Sequence, residues 1–157
     1  MVKAEGLSGF SDFALGTQYC KVVTNGNDDG IGSLRFAIAQ CSNPEDYIYI
    51  AEFIDSIFLV SDTIILDKNL SIFHSGNEKV VIQTTSSSPV FKTNPGVLIT
   101  LNNIEIHSGG VASSKALLNN GNTILWNVDI INSIPGEIPV MNTGILEISE
   151  TVQIKNQ

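Results

Sequence analysis

The sequence predicts an all-β chain wound as a right-handed parallel β-helix, a solenoid closed near its N-terminus by one short capping α-helix. Three observations carry that expectation. Isoleucine and valine far outnumber methionine while Asn, Ser and Thr fill many of the remaining positions, a mix that suits pleated strands and tight turns. Short apolar runs recur after Pro44 with no helical period of useful length between them. Finally, a phrase repeats: Gly96, a strand through Leu101, the bend Asn102-Asn103 and a second strand Ile104 to Ile106 return from Gly121 and again from Gly144, the glycines lying 25 and 23 residues apart. One such winding cannot bury its apolar side alone, whereas stacked windings share a continuous core.

Composition narrows the class. A chain of 157 residues, 43% hydrophobic and 15% charged, is one domain with ample material for a core, and it is not intrinsically disordered. A formal net charge of -8 repels phosphate backbones and anionic lipid, so nucleic acid is excluded as a partner. The most apolar stretch, Tyr47 to Leu66, is broken by Glu52, Asp55, Ser61 and Asp62, so no segment crosses a membrane as a helix. The N-terminus lacks the apolar core of a secretory signal, and the chain reads as a mature or excised segment.

The elements follow in order. Residues 1–18, with Gly6, Gly9 and Gly16 among Phe10 and Phe13, read as an irregular leader or the tail of an upstream module; the β-helix domain spans 19–157. An apolar strand from Tyr19 to Thr24 leads into a turn-rich run, Asn25 to Gly32. The capping helix occupies 33–41: Ser33 is its N-cap, and Leu34, Ala37, Ile38 and Cys41 recur at i, i+3, i+4 and i+7 to make one apolar stripe that lies on the first winding. Asn43-Pro44 ends it, because proline disfavours helical geometry in the residue before it. Asp28 and Asp29 are expected near the positive end of this helix, where a carboxylate is worth roughly 0.3 to 1 kcal/mol.

Strands are then expected at Tyr47 to Ala51, Ser56 to Val60, Thr63 to Leu66, Leu70 to Phe73, Val80 to Gln83, Val90 to Lys92, Val97 to Leu101, Ile104 to Ile106, Ala116 to Leu118, Thr123 to Ile130, Val140 to Met141 and Ile145 to Ile154. About five windings fit from residue 47 onward. The shared His-Ser-Gly at His74 and His107 places these two residues at equivalent points of the repeat. No helix closes the C-terminal end, where further windings, a neighbouring domain or another subunit is expected. Cys20 and Cys41 form one disulfide in an oxidising compartment or remain buried thiols in a reducing one.

The run Thr24 to Ile38, with Gly32-Ser33-Leu34-Arg35-Phe36-Ala37-Ile38 at its heart, resembles the GSLR-x-AI opening of a large group of bacterial exported right-handed β-helix proteins, sometimes labelled by a CSLREAI motif. The likeness continues through Ile57 to Gly76, Val80 to Gln83, Val90-Phe91 and the Gly-strand-Asn-strand windings, covering residues 20–154. The chain departs from the group at Phe36, usually polar there, and at Ser33, before which the labelled motif's first Cys is not present. Within the group are polymorphic outer-membrane and adhesin-like proteins and probable pectate lyases. The resemblance therefore implies an extracellular or cell-surface setting. The leader Gly9 to Gly16 is also similar to segments that close a preceding module in large bacterial surface proteins.

Each candidate site has a plain structural role beside its chemical one. Asn25, Asn27, Asp28 and Asp29 offer oxygen ligands, but their spacing does not match a calcium loop, and a turn with a helix cap accounts for them. Arg35, the only arginine, invites comparison with the proton-abstracting base of β-helix lyases; its place in the capping helix makes a structural ion pair the expectation. His74 and His107 lack further ligands and read as exposed turn residues. Asn102, Asn103, Asn119, Asn120, Asn127 and Asn132 are expected at bends, their amides bonding along the stack. Asp129, Glu105, Glu147 and Glu150 alternate with apolar neighbours and are expected to face water.

No residue is assigned a catalytic, cofactor-binding or metal role. Ser33, Leu34, Arg35, Ile38, Cys20, Cys41, Gly96, Gly121 and Gly144 are structural. The leading expectation is a noncatalytic extracellular β-helix module, a rigid stalk or adhesive segment whose lateral faces contact surface glycans or other proteins. The rival is the N-terminal part of a polysaccharide-active lyase or glycoside hydrolase. A cluster of carboxylates with a Lys or Arg on one lateral face favours the rival; the scarcity of basic residues after Lys92, only Lys115 and Lys155, argues against it.

Overall fold

The computed structural model describes residues 19–42, 46–112, 114–149 and 151–156. The leader, the Asn43-Pro44 helix stop and Glu150 lie outside them. Strand β1 (Tyr19–Val23) is followed by helix α1 (Leu34–Gln40) and by strands β2 (Asp46–Ile50), β3 (Ser56–Leu59), β4 (Ile64–Leu66), β5 (Leu70–His74), β6 (Val80–Thr84), β7 (Phe91–Thr93), β8 (Leu98–His107), β9 (Leu117–Asn119), β10 (Asn122–Asn132), β11 (Val140–Asn142), β12 (Ile145–Ile148) and β13 (Gln153–Asn156). Every pairing among them is parallel, each strand lying on its counterpart in the next winding, so the chain is a β-solenoid.

The windings have three sides. The first stacks β1, β2, β5, the opening half of β8, the opening half of β10, and β12; the second stacks β3, β6, the closing halves of β8 and β10, and β13; the third stacks β4, β7, β9 and β11. Period-2 alternation sends columns of apolar side chains inward from each side, among them Ile48, Ile72, Leu101 and Leu125; Ile57, Ile82, Ile106 and Ile130; Ile64, Phe91 and Leu117. All are buried, and each contributes about 1.5 to 3 kcal/mol on leaving water. Branched side chains of equal size stack without gaps, which explains why isoleucine outnumbers every other core residue.

The two apolar runs of the repeat phrase are joined, not separated. Asn103 and Asn127 adopt left-handed backbone, φ 58° and 50°, and turn β8 and β10 from the first side to the second without ending the strand. Asparagine tolerates that conformation better than β-branched residues do. Conversely, the long expected strand Ile145 to Ile154 is broken into β12 and β13.

The repeat glycines are out of step by one. Asn122 pairs with Leu98 and with Ile145, so Gly121 is level with Gly144 but with Val97, not Gly96. Gly121 and Gly144 are needed for close approach: an added Cβ would sit 2.5 Å from Asn94 O at the first and 2.0 Å from Gly121 O at the second. Gly96 has open space and is required by its φ of +81°.

Helix α1 behaves as a lid. The Ser33 side chain accepts from Phe36 N, and Leu34, Ala37, Ile38 and Cys41 are buried. Lys68 Nζ reaches up from the winding to donate to Ile38 O (3.2 Å) and Cys41 O (2.6 Å), placing a cation on the helix's negative end. Cys41 is disulfide-bonded; Cys20 is the only other cysteine in the sequence, and its side chain lies outside the described residues. At the opposite end Ile148 and Ile154 continue two of the core columns yet are 50% and 45% exposed.

Candidate functional site

Arg35 holds the lid, as an ion pair and more. Its guanidinium donates to Asp28 Oδ1 (2.9 Å), Asp62 O (2.6 Å) and Thr63 O (3.3 Å), joining helix α1 to the loop before β4. Asp28 also accepts from Ser61 N (2.8 Å), the Ser61 hydroxyl and Val60 N (3.3 Å). Burial raises the carboxyl's pKa, but the Ser61 and Arg35 hydrogen bonds outweigh it and hold Asp28 below its ordinary value. Asp28 is thereby spent on Arg35 and Ser61, and Asp29 on its own turn through Gly30 N (2.7 Å).

The corners between sides hold polar ladders. At the first corner Asn127 Nδ2 donates to Asn103 Oδ1 (2.9 Å), and Asn103 Nδ2 donates in turn to the carbonyls of His74, Gly76 and Glu78. Thr151 Oγ1 continues the stack by accepting from Asn127 N. Beside the third side, Thr93 Oγ1 donates to Asn119 Oδ1 (2.5 Å) and Asn119 Nδ2 to Asn142 Oδ1 (2.7 Å). At the remaining corner Ser108 Oγ donates to Asn132 Oδ1 (3.0 Å). The bonding expected of Asn103, Asn119, Asn127 and Asn132 is thus present. Asn120 instead accepts from Thr143 Oγ1 (2.8 Å), while Asn102 is half-buried on the first side, level with Trp126, outside the ladder.

The histidines depart from their expected places. His74 pairs in register with Ile50 on the first side and is buried at 6% exposure, its Nδ1 3.0 Å from Glu78 O; His107 pairs with Gln83 and Ile131 on the second. The shared His-Ser-Gly triplets therefore fall at different corners, and what matches is the end of a strand, not a position in the winding.

Around the first corner lies an open groove of about 380 Å³, lined by Asn77, Glu78, Lys79, Asn103, Glu105, Asn127 and Asp129. Asp129, expected in water, is 7% exposed: Lys79 Nζ contacts its Oδ1 at 2.8 Å from two windings away, and Lys155 Nζ approaches Oδ2 at 3.7 Å from the next winding. Glu105, one winding from Asp129 in the same register, is half-buried and pairs with His107 Nε2. Glu147 is exposed as expected. Long side chains crossing between windings leave no local mark in the sequence, so Lys79 and Lys155 escape it. The Asn-x-acid pairs Asn103-x-Glu105 and Asn127-x-Asp129, in register one winding apart, are the one signal that points to this groove.

Among the described residues no group of three or more His, Cys, Asp or Glu side chains is arranged to hold a metal ion, and no helix is long and apolar enough to cross a membrane. No known protein family, curated protein or solved structure matches the chain, so its chemistry is read from this geometry.

Proposed function

We propose that the chain is a noncatalytic β-helix module of an exported bacterial protein, a rigid extracellular segment that offers its sides for contact with glycans or other proteins. The observation that carries this reading is the pairing inside the corner groove. Asp129 is ion-paired with Lys79 and Lys155 from other windings, and Glu105 is in contact with His107 Nε2 on its own strand, so both acids are engaged with neighbouring side chains. Arg35, the one guanidinium, is likewise bound by three partners at the lid. Rigidity is supported by the buried apolar columns and by the ladders that tie each winding to the next.

A second reading, a polysaccharide-active enzyme, is favoured by the groove itself: Glu78, Glu105 and Asp129 with Lys79 share one lateral corner. Two measurements test the choice. Antibodies against the chain should label intact cells of the producing bacterium, and polygalacturonate or neutral oligosaccharides incubated with the protein should be recovered uncleaved. Labelling only after lysis overturns the exported setting, and cleavage that disappears in Asp129→Asn overturns the noncatalytic one.

A further inference from the structure

We infer that the first side of the solenoid, from β2 to β10, is a binding platform for a neutral glycan lying along the solenoid axis. The inference rests on the reading above and names the partner that a rigid exported module would hold. Its outward positions repeat two per winding: Tyr47 and Tyr49 on β2, Ser71 and Phe73 on β5, Thr100 and Asn102 on β8, Ile124 and Trp126 on β10. None of these carries a charge, in a chain whose formal net charge is -8; the charges nearest to them on this side are Lys21 on β1, Asp46 at the start of β2 and Glu147 on β12. Among these eight positions an anionic glycan finds no cation and a basic partner no acid, whereas an uncharged ligand loses nothing by the absence.

The composition of the platform suits sugar rings. Trp126 is 56% exposed and Tyr47 38%, and these stand at the two ends of the array, in windings separated by three strand spacings of about 4.8 Å. Aromatic faces stack on the C–H faces of pyranose rings, while Ser71, Thr100 and Asn102 between them supply hydroxyl and amide partners for sugar hydroxyls. The edge-to-face packing of Tyr49 on Phe73, ring centres 5.4 Å apart, and the Tyr49–Ser75 hydroxyl contact fix the middle of the platform in place. Successive windings lie about 4.8 Å apart, so consecutive residues of a glycan laid along the axis meet successive rows of the sheet.

The chain's single tryptophan reports directly on this surface. Hexasaccharides of cellulose, laminarin, mannan and galactan serve as neutral probes, with oligogalacturonate as the anionic one; Trp126 emission is followed in the native chain, in Tyr47→Ala and in Thr100→Val, each checked for native strand content. At least one neutral probe should give a saturable blue shift. Tyr47→Ala should weaken it about tenfold, as the loss of one stacked ring predicts, and Thr100→Val less. No shift with any neutral probe overturns the platform and leaves the scaffold reading intact. A shift that both variants leave unchanged, or one seen only with oligogalacturonate, overturns it as well. Binding accompanied by cleavage leaves the platform standing and overturns the noncatalytic reading instead.

Discussion

Strands β8 and β10 carry two different chemistries on either side of a single residue. Before Asn103 and Asn127 their outward positions are aromatic, aliphatic, hydroxyl and amide; after them come Glu105 and His107, then Asp129 with its two lysines. The inward columns are aliphatic on both sides, so the core does not cause the difference. What separates the two faces is a left-handed asparagine that changes the strand's direction while keeping its ladder of hydrogen bonds. A solenoid can thus hold an uncharged contact surface and an ion-paired one within a few residues, provided the corner is fixed.

The corner is therefore the place to break this arrangement with the largest effect. Asn103→Ala removes an amide that donates to three carbonyls and leaves a Cβ-bearing residue without local compensation at φ 58°. Together these should cost about 2 to 4 kcal/mol, read as a fall in the urea midpoint. Asn103→Gly should recover part of it, because only the amide is then lost; equal losses in the two variants would show that backbone conformation contributes nothing.

Next in size is Asp129→Ala on the charged side. Its partners keep some contact with water, so the expected loss is about 1 to 2 kcal/mol, less than a fully buried pair would give. The difference from the native chain should shrink in high salt, because part of the attraction is screened. A loss that salt does not change would mean that Asp129 acts through packing.

The lid offers a smaller effect with a defined pH window, away from both faces. Asp28 has a folded-state pKa below its unfolded value, so its contribution is fully present above the unfolded pKa, about 3.9, and disappears as pH falls through the folded one. The Tm gap between the native chain and Asp28→Asn should be constant near neutrality and close below about pH 4. A gap that persists in acid would assign the stabilisation to shape and not to the carboxylate. Smallest of all is Trp126→Ala, which should change stability by less than about 0.5 kcal/mol, since its side chain lies outside the core.

Much of this architecture is legible in the sequence because its causes are local. Ser33, the stripe Leu34, Ala37, Ile38 and Cys41, and the period-2 isoleucines each announce their role within one turn or one strand. The repeat period is legible too, but its phase is not: Gly96 serves a positive φ and Gly121 a close approach, two different demands met by the same residue type. His74 is misread for a related reason, since the turn that wraps it is closed by Asn103 from the next winding. The groove is the least legible part. Asp129 alternates with apolar neighbours as a solvent-facing residue would, and only distant contacts, from Lys155 and from a lysine fifty residues earlier, Lys79, take it out of water.

That lysine has a consequence for how the molecule comes apart. In an array where each winding touches only its neighbours, stability adds up link by link and a fray can advance one winding at a time. Lys79 skips the winding of β8 to reach that of β10, a second-neighbour coupling. A fray entering from the β12–β13 end must give up this tie on reaching β10, before it touches the winding where the lysine is anchored, so native-state hydrogen exchange should find β6, β8 and β10 opening as one cooperative unit.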